Sequence, residues 1–283
     1  MADERWVEPS QPATHPLTIC IRHIAPSPDR NLFFGDHFFA VGLADAFVAL
    51  GHRVRVDARS QWDDPMPEGA IVIVLRGPDP RPGPAHTTSL LWYIYPDAKF
   101  MVRSDEFKGY AHVFVASDDV SDVPQFAALR DKMSVLYQAF DPRVMYLEQG
   151  AVRADTVFIG NNHRNVRNVR QMMNFANEIA HPVRLWGRFW ADLPANVTFQ
   201  GLWLGNADVG NVYRHAQVVL CDHVVTMRHL GFTSNRIFDA LACGAAIVSD
   251  QLPSLPEGFE RFVTRCETVE DFRTAVETIK SEG

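Results

Sequence analysis

A run of hydroxyl and amide side chains, Thr233, Ser234 and Asn235, stands directly before an amphipathic helical pattern in the last third of the sequence. Thr233 or Ser234 suits the N-cap, and Gly244 suits the position just past the helix end. The start of a helix carries free backbone N–H groups and the positive end of the helix dipole. The segment therefore predicts an anion site, with phosphate as the best candidate.

An aspartate, Asp239, follows Asn235 by four residues, so both side chains project from one helix face about 6 Å apart along the axis. That offset is close to the one between a pyrophosphate and its ribose hydroxyls. A carboxylate could bind the ribose diol while the helix start binds the phosphates. An ordinary capped helix with a surface aspartate is the alternative. The predicted nucleotide-binding residues here are Gly231, Phe232, Thr233, Ser234, Asn235, Arg236 and Asp239.

A second polar group follows the apolar run 156–159. It begins with Gly160, whose lack of a side chain allows close backbone approach. An arginine side chain can bind a pyrophosphate through two parallel N–H donors. A solvated basic helix face is the competing interpretation, above all for Arg170. The predicted phosphate ligands in this group are Asn161, Asn162, Arg164 and Arg167.

Four residues are candidates for catalysis. His223 follows the apolar run 217–221 and could protonate a leaving phosphate or bind the donor sugar, or be a satisfied structural histidine. Asp36 and His37 follow the first predicted strand, where Asp36 could act as a base or bind an acceptor hydroxyl, or cap the next helix. Asp97 follows another predicted strand end.

The elements that must position these residues form an α/β pattern of short apolar runs alternating with amphipathic helices. Such chains build doubly wound parallel sheets whose ligands lie beyond the carboxyl ends of the strands. Two units of similar size are predicted, joined near 141–154. The predicted strands are 17–24, 52–56, 71–75, 89–94, 112–116, 135–137, 156–159, 183–185, 197–199, 217–221 and 246–249. The predicted helices are 36–50, 166–179, 208–215, 269–279 and the helix that starts after the N-cap at Thr233 or Ser234 and ends before Gly244.

Composition narrows the class of protein. The 283 residues carry 27 Lys and Arg against 34 Asp and Glu, a formal charge of -7, which argues against a nucleic-acid partner. The 4 cysteines have no metal-ligand spacing and predict reduced core residues of a cytoplasmic protein. No stretch reaches the length of a membrane span, and residues 1–16 are expected to form a disordered tail. A nicotinamide-binding glycine motif and a P-loop are both missing from the sequence.

A longer pattern resembles the donor half of group 1 glycosyltransferases, in particular the spore-maturation-protein (CgeB)-like branch. That branch carries an Asp-His pair, a methionine and then Gly-Phe-x-Ser-Asn-Arg-Leu-Phe-Asp-Ala-Leu-Ala-x-Gly. The matching residues here are Asp222, His223, Met227, Gly231, Phe232, Ser234, Asn235, Arg236, Phe238, Asp239 and Gly244. More loosely, 35–40, 51–54, 92–97 and 138–142 are similar to its acceptor-side half, so the resemblance runs from about residue 17 to the C-terminus.

The resemblance implies the GT-B architecture, two Rossmann-like doubly wound parallel-sheet domains facing a cleft. The acceptor-side domain would span 17–149 and the nucleotide-sugar domain 150–283. It also implies a metal-independent, retaining transfer of a hexosyl or related sugar from a nucleotide-diphosphate sugar, with UDP or GDP expected, to a saccharide or glycoconjugate, as in polysaccharide biosynthesis. No separate cofactor is expected.

Related retaining enzymes have two glutamates eight positions apart around this loop. Here the second is Asp239 and the first is Gly231. This departure leaves two alternatives open. One is a degenerate protein that senses nucleotide sugars or serves as a partner subunit, and the other is an epimerase or hydrolase on the same fold.

Overall fold

The computed structural model describes residues 4–75, 81–96, 107–122, 124–162, 170–253 and 255–282. The chain divides into two compact units, Met1–Tyr137 and Gln138–Gly283. Each unit contains a six-stranded parallel sheet. Three predicted site residues, Asp97, Arg164 and Arg167, lie outside the described residues, as does the start of the predicted helix 166–179.

The sheet of the first unit has the strand order β2-β1-β3-β4-β5-β6. Because β2 and β3 lie on opposite sides of β1, the topological switch point of this sheet falls beside β1, where ligands of open α/β sheets bind. The predicted strands and helix are confirmed, except that the last strand begins two residues earlier than expected. The elements are β1 Thr18–Arg22, α1 Gly35–Ala49, β2 Arg53–Asp57, β3 Ile71–Leu75, β4 Thr88–Tyr93, β5 His112–Val115 and β6 Met133–Val135.

Residues 4–16 lie against this sheet, which differs from the disordered tail expected from their polar composition. Val7 pairs with Val54 by two backbone hydrogen bonds of 2.8 and 3.0 Å. The Trp6 ring is buried, and the guanidinium groups of Arg53 and Arg55 each lie 4.7 Å from its centre. A single tryptophan stacked on two arginines gives the segment a contact that a count of polar residues does not reveal.

The sheet of the second unit has the order β12-β11-β10-β7-β8-β9, so its switch point lies between β7 and β10. Helix α4 and strand β12 were not predicted: α4 has five residues, too few for a periodic pattern, and β12 is an edge strand whose two central residues are exposed. The elements are β7 Ala154–Ile159, α2 Gln171–Glu178, β8 Val183–Trp186, β9 Val197–Gly201, α3 Asn206–His215, β10 Ala216–Cys221, α4 Val225–His229, α5 Asn235–Ala242, β11 Ala246–Asp250, β12 Val263–Cys266 and α6 Val269–Glu282.

Buried side chains bear out two further predictions. Ile237 and Phe238 of α5 are buried and Leu241 packs against the same core, as expected for the apolar side of the amphipathic helical pattern that follows Asn235. All four cysteines are buried and unpaired with one another. In the described part of the chain, no helix combines the length and apolar character needed to cross a membrane.

Candidate functional site

Helix α5 begins where the sequence predicts. Ser234 is the N-cap, in an extended conformation, and its Oγ accepts a hydrogen bond from the Arg236 N–H at 3.4 Å. Thr233 stands before it with 1% of its surface exposed. The helix start lies beyond the carboxyl ends of β10 and β7, because Arg236 contacts residues at both.

The loop that enters α5 is held by His223. The Ser234 backbone N–H donates to His223 Nε2 at 3.0 Å, so this nitrogen is an acceptor and the ring proton sits on Nδ1. Nδ1 then donates to Asp250 Oδ1 at 2.6 Å, and the His223 backbone N–H donates to Asp250 Oδ2 at 2.9 Å. With both ring nitrogens occupied and 1% exposure, His223 positions the loop and is not available as the general acid that its place after a strand suggests.

Replacing His223 by leucine is therefore expected to reduce the free energy of unfolding by about 2–4 kcal/mol, because Asp250 Oδ1 and the Ser234 N–H each lose a buried partner, while Arg228 still contacts Asp250 Oδ2. Urea unfolding measures this loss. His215, an exposed histidine at the end of α3, is the matched control, and His215→Leu should change stability by less than about 0.5 kcal/mol. A stable His223→Leu protein that lacks only activity would restore the catalytic-acid role.

Arg236 lies at the switch point of the second sheet. Its guanidinium lies 5.3 Å from the centre of the Phe158 ring of β7, and Nη1 is 3.6 Å from Cys221 Sγ at the end of β10. A Cβ on Gly160 would come within 3.1 Å of Nη2, so the glycine leaves room for this arginine. Among the described residues, no carboxylate forms a salt bridge with Arg236. The site thus holds a positive charge that can meet an anionic ligand.

Arg170, by contrast, is neutralised. Its Nη1 donates to Asp222 Oδ1 at 2.6 Å, and Nε donates to the Asn161 carbonyl at 3.0 Å. The Arg170 guanidinium lies 5.5 Å from the centre of the Phe158 ring. The expectation of a solvated basic helix face is wrong for Arg170, because its side chain forms a buried ion pair with Asp222, 52 positions away in the sequence.

The loop after β7 is tied to the loop after β8. Asn161 Oδ1 accepts from the Arg188 N–H at 2.8 Å, and the Asn162 N–H donates to the Arg188 carbonyl at 2.9 Å. Gly187 has a φ of +146°, and a Cβ there would lie 2.0 Å from the Gly160 carbonyl oxygen. Only glycine fits this approach. Asn161 and Asn162 therefore join two loops at the carboxyl edge of the sheet, and the Oδ1 of Asn161 is already used by the protein.

Asn235 and Asp239 meet on one face of α5, as the four-residue spacing predicts. Asn235 Nδ2 donates to Asp239 Oδ2 at 3.0 Å. Desolvation raises the pKa of Asp239 from its ordinary value of 3.8 to about 7, against the opposing effects of Asn235 and Arg236. The carboxyl is half-buried, and among the described residues Asn235 bonds only its Oδ2, so Oδ1 can accept a hydrogen bond from a ligand.

Some of the buried polar atoms that lack a hydrogen-bond partner among the described residues belong to the start of α5 and to the residue before His223. These are Thr233 Oγ1, Asn235 Oδ1 and Asp222 Oδ2. Native proteins leave few such atoms, and those that occur often mark places where a ligand or water completes the bonding. Two other predicted residues do not offer side chains to a ligand: Phe232 is fully buried in the core, and Gly231, at φ +66°, provides only backbone.

In the first unit, Asp36 and His37 occupy the first turn of α1. Asp36 does not cap the helix, since the N-cap is Phe34. It is half-buried, and desolvation raises its pKa to about 6, which suits a proton acceptor near neutral pH. His37 Nδ1 lies 3.3 Å from Nε2 of His23, a residue that the sequence did not single out. No group of three or more His, Cys, Asp or Glu side chains within the described ranges has the arrangement of a metal site.

Solved structures align with this chain over most of its length. AviGT4, a glycosyltransferase involved in avilamycin A biosynthesis, aligns with a TM-score of 0.64 and 16% identity over 92% of this chain and 88% of its own. The lipopolysaccharide outer core galactosyltransferase WaaB in its apo form aligns with a TM-score of 0.56 and 12% identity over 94% and 91%. The chain has the GT-B fold of glycosyltransferases.

A third GT-B structure, Anabaena HepE in complex with UDP and glucose, aligns with a TM-score of 0.56 and 11% identity over 93% of this chain and 89% of its own. The family model described as Glycosyl transferase-like matches residues 164–282, most of the second GT-B unit. None of the curated protein sequences compared with the chain matches it significantly. The matched span contains α5 and the network around His223, so the sequence match and the described site fall in the same unit.

Proposed function

We propose that the protein is a glycosyltransferase that moves a hexosyl or related sugar from a nucleotide-diphosphate sugar to a saccharide or glycoconjugate acceptor. The observation that carries the proposal is Arg236, a cation to which no described carboxylate forms a salt bridge, placed at the switch point of the second sheet beside the start of α5. The developing charge on a departing diphosphate needs such preorganised positive groups. The family match over 164–282 and the GT-B fold support the same reaction class.

In the proposed donor site, the diphosphate is bound by Arg236, the Asn235 N–H and the Thr233 hydroxyl. The ribose diol is bound by Asp239 through the carboxyl oxygen that does not contact Asn235. Because the arginine and the helix start supply the positive charge, we propose that transfer needs no metal ion. Asp36 is proposed as the acceptor-side base in the first unit. The Asp222-His223 pair followed by the α5 segment further leads us to place the chain in the spore-maturation-protein-like branch and to propose transfer with retention.

A panel of nucleoside diphosphates tests the donor site. UDP or GDP at about 100 times its Kd should stabilise the protein by about 2.7 kcal/mol, which raises the Tm by several degrees. ADP, CDP and dTDP serve as the comparison set. No shift with any of the five compounds at millimolar concentration would contradict the proposed site.

Turnover distinguishes the reaction from its alternatives. A transferase releases nucleoside diphosphate from the donor sugar faster when a saccharide acceptor is present, and NMR of the product reports the anomeric configuration. Release at the same rate without acceptor indicates a hydrolase. Tight nucleotide binding with no turnover across a panel of acceptors indicates a sensor or a partner subunit.

A further inference from the structure

A buried histidine stands at the topological switch point of the first sheet. His23 directly follows β1, is fully buried, and its backbone N–H donates to the Asp57 carbonyl at 3.1 Å. Its ring lies 5.0 Å from the ring of His37, centre to centre, with the planes tilted by 57°. The pair joins the carboxyl end of β1 to the first turn of α1.

The backbone settles which nitrogen of His23 carries the proton. The Ala25 N–H lies 3.3 Å from His23 Nδ1 and can only donate, so Nδ1 is an acceptor. The proton of the neutral ring is then on Nε2. Burial, with a smaller effect from His37, lowers the pKa of His23 to about 4, which keeps the ring neutral near pH 7.

The same logic passes to the next ring. His23 Nε2 lies 3.3 Å from His37 Nδ1. Because His23 Nε2 carries a hydrogen and donates it, His37 Nδ1 must be the hydrogen-bond acceptor. The proton of neutral His37 is therefore on its own Nε2. His37 is half-buried, and within the described part of the chain its Nε2 has no partner.

We propose that His23 is a positioning residue that fixes His37 as an Nε2–H donor, through the chain Ala25 N–H to His23 to His37. His37 then hydrogen-bonds an oxygen of the substrate and does not abstract a proton. In the proposed glycosyltransferase, on which this role in activity rests, proton acceptance falls to Asp36. A histidine that merely fills the core would have no effect on the neighbouring ring.

The tautomers can be read directly by long-range ¹H–¹⁵N correlation spectra of the full protein with ¹⁵N-labelled histidine. His37→Asn removes one set of signals and so assigns His37. The expected wild-type result is His23 and His37 both protonated only at Nε2. A His37 ring protonated at Nδ1 would overturn the proposal, whatever the outcome of any nucleotide experiment.

Two substitutions at position 23 test the coupling. His23→Leu removes the donor, so the pKa of His37 should rise and a fraction of the neutral ring should take the Nδ1–H form. His23→Gln offers an amide N–H at the place of Nε2 and should restore the wild-type behaviour of His37. An unchanged His37 titration in His23→Leu would show that His23 only fills space. If the leucine variant does not fold, the wild-type tautomer and the glutamine variant still decide.

Activity adds a separate readout. With a working donor and acceptor, kcat/KM should fall about tenfold in His23→Leu, the value of about one hydrogen bond, and less than about threefold in His23→Gln. Absence of any turnover in the wild type would count against the proposed function, while the spectra would still judge the tautomer relay on its own.

Discussion

Replacing Arg236 by methionine is expected to weaken UDP or GDP binding by about 30- to 100-fold, or about 2–3 kcal/mol, while the affinity for the nucleoside alone stays nearly the same. The reason is that the guanidinium lies at the carboxyl ends of β7 and β10 and, within the part of the chain that the structure describes, has no salt bridge. A diphosphate can meet that charge, whereas uridine and guanosine carry no phosphate. Isothermal titration calorimetry with nucleoside and nucleoside diphosphate measures both affinities.

Arg184 gives a matched control for Arg236. Its guanidinium also lies over an aromatic ring, 5.2 Å from the centre of Trp186, but the side chain is 42% exposed and paired with Asp155 at 2.8 Å. Arg184→Met should leave both affinities unchanged. Arg236→Lys keeps the positive charge but loses the planar pair of N–H donors, so an intermediate loss of diphosphate affinity is expected. Equal losses for nucleoside and diphosphate would remove Arg236 from the phosphate site.

Local signals explain why the start of α5 could be predicted from sequence. The N-cap Ser234 and the turn at Gly244 act over a few residues, and each has a strong residue preference. Gly244 has a φ of +73°, a backbone conformation that favours glycine. The pairing of Asn235 with Asp239 likewise follows from helix geometry alone.

The rest of the site depends on partners far apart in the sequence. Arg170 and Asp222 are 52 positions apart, and His223 and Asp250 are 27 apart. No local pattern predicts which of two buried groups will meet, so Arg170 resembled a solvated arginine and His223 a general acid. Pairing, rather than residue type, decides whether an ionisable side chain is free for chemistry.

His23 was overlooked in the sequence for a related reason. A single histidine after an apolar strand is usually a satisfied core residue, and nothing within a few positions marks it. Its meaning comes from the tautomer that the Ala25 N–H imposes and from the ring of His37 in the next element. The one signal present in the sequence is its place directly after the first strand, where switch-point ligands are expected.

Asp239→Asn is expected to separate binding from stability. The variant should bind UDP or GDP about 10- to 100-fold more weakly, because an amide replaces the carboxylate that we propose accepts from the ribose diol. Nucleoside binding should fall by the same factor, but pyrophosphate binding should not change. Arg236→Met is expected to do the opposite, weakening diphosphate binding while nucleoside binding stays nearly the same. The two variants together therefore show which side chain binds the phosphates and which binds the ribose.

The same substitution should stabilise the unliganded protein at pH 8 by about 1–3 kcal/mol, a range reduced for partial solvation of the carboxyl. The folded-state pKa of Asp239, about 7, lies above its ordinary value of 3.8, so the wild-type protein loses stability as the pH rises through about 7. Asparagine mimics the protonated form and has no such dependence. The difference in free energy of unfolding between the two proteins should therefore grow from about pH 4 to about pH 7 and stay constant at higher pH.

Urea unfolding of both proteins from pH 4 to pH 8 measures that difference. A desolvated carboxyl that lowers the stability of the folded state is expected where the carboxyl binds a ligand. Ligand binding, and not folding stability, then explains why the carboxyl is there. If Asp239→Asn lowers stability at pH 8 and leaves nucleotide affinity unchanged, Asp239 only tethers Asn235, and the ribose contact must lie with other residues.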